Sequence, residues 1–189
     1  AYEKLAKENP TQTIKRIEHF GMFQLNDEQL GRAKALKKDG FHFSVQPIWL
    51  LELVNADYEN MGVQRAKTGY KFKTLIDAGL EPAASTDMTG IYLDNINPFS
   101  AIYATVTRQS DIGVFEPQEA ISIRDALRMW TIWPANAVGE GKEKGTIAVG
   151  KFADMVVLSD DLFQIPQAKL KDVKADQTIV GGRVVFERK

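Results

Sequence analysis

Two residues of this sequence carry the types and the placement that metal-assisted chemistry needs: His19 and Asp87, each at the predicted C-terminal end of a β-strand. A parallel barrel gathers such strand ends at one face, where its catalytic groups lie. A divalent metal held by His and Asp lowers the pKa of water to about 7, and a carboxylate beside that water can take its proton during attack. Both residues also have plainer readings. His19 is equally accounted for as a strand-end histidine satisfied by a neighbour such as Glu18, and Asp87 as a helix cap or turn residue. The pool of other donors is small. Cysteine is absent, so disulfides and thiolate ligands are excluded and His, Asp and Glu remain as strong ligands, with only two histidines among them. The second, His42, alternates with Phe41 and Phe43 inside a strand and reads as structural. Trp49 follows a strand and is placed to wall a substrate pocket, whereas Trp130 and Trp133 have helical spacing and read as core. Arg108, near a helix end, reads as solvated or facing the helix dipole.

The elements that would position these groups alternate. Thr13–His19 is β-prone; Asn26 then opens a helix with Gln29 at the capping-box position, and Gly40 closes it. Phe41, Phe43 and Val45 alternate with polar residues until Pro47, which completes a β-α-β unit. The stretch from Ile48 to Tyr70 reads as loop with a short helical piece, followed by a helix over Phe72–Ala78 and a third strand running from Pro82 to Asp87. Pro98 starts a helix to about Gln109, and Ser122 with Asp125 caps the helix bearing Ala126, Leu127 and Trp130. This alternation predicts parallel β-α units, hence an α/β sheet or barrel. After Gly139 the pattern changes to short β segments at Gly145–Ile147, Ala153–Leu158 and Gln177–Phe186, the last a hairpin through Gly181-Gly182. The expected division is therefore residues 1–140, α/β, and residues 141–189, all-β.

Composition sets outer limits. With 44% apolar and 26% charged residues, the chain suits an ordinary globular domain. A net charge of −1 and the lack of a Lys/Arg block speak against nucleic acid. No apolar run reaches the roughly eighteen residues of a membrane span, and no signal-peptide order precedes the first strand. A cytoplasmic protein is expected, and the start at Ala1 suggests a segment of something longer.

Five ordered motifs resemble those of a known family. They are Arg16-Ile17-Glu18-His19, Ser44-Val45-Gln46-Pro47, Ala84-Ser85-Thr86-Asp87, Ala126–Ile132 and Gly145–Leu158, with Thr178–Val185 as a matching ending. Together they resemble the amidohydrolase superfamily, and within it the family 3 branch of YtcJ-like metal-dependent hydrolases. That branch includes N-substituted formamide deformylases and proteins labelled exoenzyme regulators. The resemblance implies the C-terminal portion of a (β/α)8 TIM barrel, strands six to eight with their helices, in residues 1–140. Residues 141–189 would then be the C-terminal strands of the companion composite β-domain.

By the same resemblance, His19 matches the metal-binding histidine ending strand six. Asp87 matches the aspartate ending strand eight, at once metal ligand and acceptor of the water proton. Gln46 and Pro47 match the end of strand seven, lining the pocket with Trp49 for substrate binding, and Asp154 is a turn or hydrogen-bonding residue. The implied cofactor is a divalent metal, zinc, with one or two ions in an intact protein and weak or no binding by this chain alone. The family's strand-one His-x-His pair and its strand-four and strand-five ligands have no counterpart here. The expected activity is hydrolysis of an amide or related C–N bond in a small molecule, with this chain alone inactive. The alternative is a regulatory or binding protein on the same scaffold. Self-association is also expected, through the exposed sheet edge of the strand containing Ile14 and Ile17.

Overall fold

In a computed structural model, the structure describes residues 1–9, 15–88 and 96–189. Three parallel strands form the first sheet in the order β1-β2-β3: β1 (Lys15–Ile17), β2 (Phe41–Val45) and β3 (Ala83–Ala84). Lys15 pairs with Phe41 and Ile17 with Phe43, while Ser44 pairs with Ala83. Phe41, Phe43, Val45, Ile17 and both alanines are buried, so the middle strand is covered on its faces as parallel sheets require. Ile14 lies outside the described residues, and β1 is an edge of this sheet among those that are described.

An N-terminal helix, α1 (Tyr2–Glu8), lies against this sheet: the Tyr2 ring meets Phe41 edge-on, and Glu3 pairs with Arg32. The connection from β1 to β2 is α2 (Asp27–Lys38). Asn26 and Gln29 form the reciprocal capping box expected of them, and acidic residues open the helix while lysines close it, as the macrodipole favours. Between β2 and β3 the chain forms α3 (Trp49–Glu52), α4 (Val54–Met61), α5 (Val63–Ala66) and α6 (Phe72–Asp77). The stretch over 48–70, expected as loop with a short helical piece, thus holds three short helices. Gly62, at φ 77°, breaks the run, so no window is long enough for a helical period to stand out.

The next helix, α7 (Pro98–Thr107), is a core helix: Ala101, Ile102, Ala104, Thr105 and Val106 are all buried, and Asn97 caps its first turn. It ends two residues before the expected Gln109, because Arg108 turns left-handed at φ 59° and leads into a small hairpin of β4 (Gln109–Ser110) and β5 (Gly113–Val114). Arg108 itself is the clearest correction to the sequence reading, since it is fully buried and not solvated. Its Nε donates to the Phe115 carbonyl at 3.0 Å and its Nη1 to the Tyr70 carbonyl at 3.1 Å. The rings of Phe72 and Phe115 flank the guanidinium at 5.6 and 5.8 Å. Burial pulls this guanidinium down to about 10, with Glu119 and Glu116 resisting, so it stays charged at neutral pH.

Two helices follow, α8 (Ile123–Trp130), capped by Ser122, and α9 (Ile132–Ala137). The final sheet is antiparallel, in the order β6-β7-β8, from β6 (Met155–Leu158), β7 (Ala175–Val180) and β8 (Arg183–Glu187). The strand expected at Gly145–Ile147 does not form. Gly145 instead presses against α9, where an added Cβ would sit 2.9 Å from Ala135 Cβ and Ile132 Cα, and Ile147 is 83% exposed. Its glycine serves close approach and not strand pairing. Asp154 behaves as the motif implied, its Oδ1 accepting from the Gly181 N–H at 2.8 Å across the β7–β8 turn. Leu162, Leu170 and Val173 return to the same buried cluster as β2, α3 and α7.

Candidate functional site

The residues singled out by sequence lie at the C-terminal ends of the three parallel strands. His19 is two residues past β1, Gln46 directly follows β2, and Asp87 is three residues past β3. The strand expected to run into Asp87 is short, so both His19 and Asp87 stand on exit loops. Each is in the left-handed region, at φ 56° and 50°. His and Asp tolerate that region better than most residues, and a single left-handed residue turns the chain off the strand axis.

Main-chain bonds pin the exit loop of β1. Phe20 donates its N–H to the Ser44 carbonyl at 3.0 Å, which ties the loop to β2. Tyr70 donates to Gly21 and Leu25 to Thr68, at 3.1 and 3.0 Å, so the segment before α6 forms its floor. Gly69 makes that floor possible, because a Cβ there would stand 2.3 Å from the Met22 carbonyl oxygen. Below it, Tyr70 Oη donates to Asp57 Oδ2 at 2.6 Å; burial, and then this bond, push the phenol far above its ordinary range, and burial also raises the Asp57 carboxyl. On the β3 side, Ser85 donates its N–H to the Val45 carbonyl at 2.9 Å.

At the centre sits Gln46, 1% exposed. Its Oε1 lies 2.9 Å from His19 Nδ1, and its Nε2 donates to Ser85 Oγ at 3.1 Å. One amide therefore links the exits of β1 and β3. The His19 ring, itself exposed, stacks on Trp49 with centroids 5.1 Å apart and planes at 20°, and the Phe23 ring meets Trp49 at 5.6 Å, tilted by 44°. Trp49 is thus a buried wall behind His19, and the half-exposed Phe23 is the aromatic surface beside it. The neighbour proposed to satisfy His19, Glu18, pairs instead with Arg16. His42 is half-buried within β2; burial, reinforced by Lys37, holds its imidazole below the ordinary value against the pull of Glu81.

Ser85 and Phe23 were not assigned roles in the sequence, although Ser85 stands in the quoted Ala84–Asp87 motif. Its signal was the two-residue spacing to Asp87. A cleft of 250 Å³ reaches this end of the sheet through Glu18, Ser44 and Ser85, whereas the larger one of 660 Å³ lies between α9 and β6–β7, away from His19. As metal donors, one imidazole with its Nδ1 engaged and one carboxylate are of the right chemical type for a divalent cation. Among the described residues no group of three or more His, Cys, Asp or Glu comes together.

The chain thus carries a parallel three-stranded sheet joined through helices, with His19 and Asp87 on the exit loops of its two outer strands. The sequence profile described as Amidohydrolase family matches residues 1–186, and the chain belongs to that family. It is 28% identical over its whole length to the N-substituted formamide deformylase of Arthrobacter pascens, of which it spans 34%. It is 30% identical over 134 residues, 69% of the chain, to the YtcJ amidohydrolase of Bacillus subtilis (strain 168), of which it spans 25%. It covers no more than about a third of either relative. Among solved structures, an uncharacterized metal-dependent hydrolase from Pyrococcus horikoshii superposes over 88% of this chain and 33% of its own, with a TM-score of 0.66 at 24% identity, which speaks to the fold. Among the described residues no helix is long and apolar enough to cross a membrane.

Proposed function

We propose that this chain is the C-terminal portion of a metal-dependent amidohydrolase that cleaves an amide or formamide C–N bond, with β1, β2 and β3 as strands six to eight of a (β/α)8 barrel. The observation that carries the reading is the placement of His19, Gln46 and Asp87 at three successive exits of a parallel sheet, within a chain that belongs to the Amidohydrolase family. The N-substituted formamide deformylase relative supplies the bond class.

His19, through Nε2, and Asp87 would hold the cation, taken to be zinc, with the remaining ligands supplied from outside this set. When bound, such a metal makes water acidic enough to act as a nucleophile near neutral pH and polarises a carbonyl. Asp87 accepts the water proton and then delivers it to the leaving nitrogen, a general base that becomes a general acid in one cycle. Gln46 and Ser85 hold the ligand-bearing exits together, and Trp49 excludes solvent from the back of the His19 ring. Alone, with two donors, the chain would hold metal weakly and turn over little substrate. The test is a formamide and N-acyl amide panel assayed on the longer protein that contains this sequence. Asp87→Asn is expected to lower kcat by at least about 100-fold, the contribution of a positioned general acid–base group. Unchanged turnover in that variant would remove Asp87 from the chemistry.

A further inference from the structure

Gln46 is almost sealed from solvent, yet its side chain is a primary amide with donors and an acceptor to satisfy. Two contacts engage that amide, and a third engages the Gln46 backbone. Its backbone N–H points at Met22 Sδ at 3.4 Å, its Oε1 meets His19 Nδ1 at 2.9 Å, and its Nε2 donates to Ser85 Oγ at 3.1 Å. Stacking on Trp49 removes the other freedom of the His19 ring, rotation out of this plane.

A neutral imidazole carries one N–H and one lone pair, and the hydrogen bond made at one nitrogen decides which is which. An amide oxygen can only accept, so a proton must sit on Nδ1 and the lone pair on Nε2. We propose that Gln46 is a positioning residue that fixes His19 in the Nδ1–H tautomer, so that Nε2 faces outward as a ready lone-pair donor to a divalent cation. This rests on the reading of His19 as a ligand. Ligating histidines commonly give their second N–H to an oxygen acceptor, which orients the ring. Here the acceptor is a neutral amide, so the orientation is gained without adding a negative charge beside the site. The reversed amide would have the opposite consequence: its NH2 would donate to Nδ1, the imidazole proton would move to Nε2, and His19 could offer no lone pair outward. The Ser85 hydroxyl can donate or accept and suits either arrangement. The tautomer of His19 therefore decides the matter.

The experiment is a long-range 1H–15N correlation spectrum of the 15N-labelled 189-residue chain without metal at about pH 8, above the ordinary imidazole pKa of about 6.5. Only two histidines contribute, and a His42→Gln variant identifies which signals belong to His19. The expected result is a pyrrole-type shift at Nδ1 and a pyridine-type shift at Nε2. Gln46→Leu should move both toward the Nε2–H form that free imidazole prefers, and Gln46→Glu, which keeps an acceptor, should restore the Nδ1–H pattern. Ser85→Ala, a milder change at the other end of the amide, gives a partial shift in the same direction should Gln46→Leu not fold.

A wild-type His19 already in the Nε2–H form, or a tautomer indifferent to Gln46→Leu, overturns the proposal. Zinc titration of the same sample tests the underlying reading separately. Zn2+ should displace the His19 Nε2 signal, with roughly 10- to 100-fold weaker affinity in Gln46→Leu. An Nδ1–H His19 that ignores zinc keeps the Gln46 assignment and discards the ligand role. An Nε2–H His19 in the free chain that nonetheless binds zinc does the reverse.

Discussion

Among the described residues Arg108 is buried with no ion pair: two carbonyls take its Nε and Nη1 and two aromatic faces flank it, while Nη2 finds no hydrogen-bond partner. Arg108→Met should remove the side-chain donor to the Phe115 carbonyl and one of the two donors to the Tyr70 carbonyl, which keeps the Phe72 N–H, and destabilise the protein by about 1–3 kcal/mol, read as a lower urea midpoint at unchanged slope. His42 gives the second test at this scale. Its folded pKa is depressed by burial, so the folded protein resists protonation more than the unfolded chain does. The stability this group contributes is complete above the unfolded value of 6.5 and is lost as pH falls from there through the lower folded value. His42→Gln should flatten that acid limb, measured as denaturation midpoints across the range. His19 and Asp87 were legible as residue types at strand ends and Trp49 as a residue following a strand, while Gln46 came from the family resemblance alone. The amide bridge from His19 to Ser85, and the buried clamp of Arg108, were not, because each joins groups far apart in sequence and leaves no periodic trace.

At the scale of elements, the exit loop of β1 is positioned by the segment that precedes α6, through Tyr70 to Gly21 and Leu25 to Thr68. Gly69→Ala should push Met22 away, since its Cβ would fall 2.3 Å from a backbone oxygen, which can move only with its main chain. The expected outcome is a loss of about 1–3 kcal/mol in stability. It should also loosen His19, seen as weaker zinc binding, because Met22 lies against the Gln46 backbone. A variant as stable as the wild type would mean that this floor does not hold the loop. The β-α-β unit, the α2 capping box and the α8 cap were all readable, since caps and alternation are local signals. The helices α3–α5 and the β4–β5 hairpin were not, being too short to display a period, and Gly145 was mistaken for a strand residue because close packing and strand punctuation use the same amino acid.

For the whole molecule, family membership and the parallel sheet agree on a hydrolase scaffold, and the chain spans 34% and 25% of the two bacterial relatives. The proposed roles of His19 and Asp87 both rest on a bound metal, so metal content tests them most directly. The decisive measurement is zinc content by elemental analysis of the longer protein that contains this sequence, purified without chelator, as wild type and as the His19→Ala/Asp87→Ala double variant. The account predicts about one to two zinc equivalents in the wild type and loss of at least one in the variant. Full zinc retention in the folded variant, or no metal in the wild type, would contradict it and leave His19 and Asp87 as structural residues of a scaffold turned to another use.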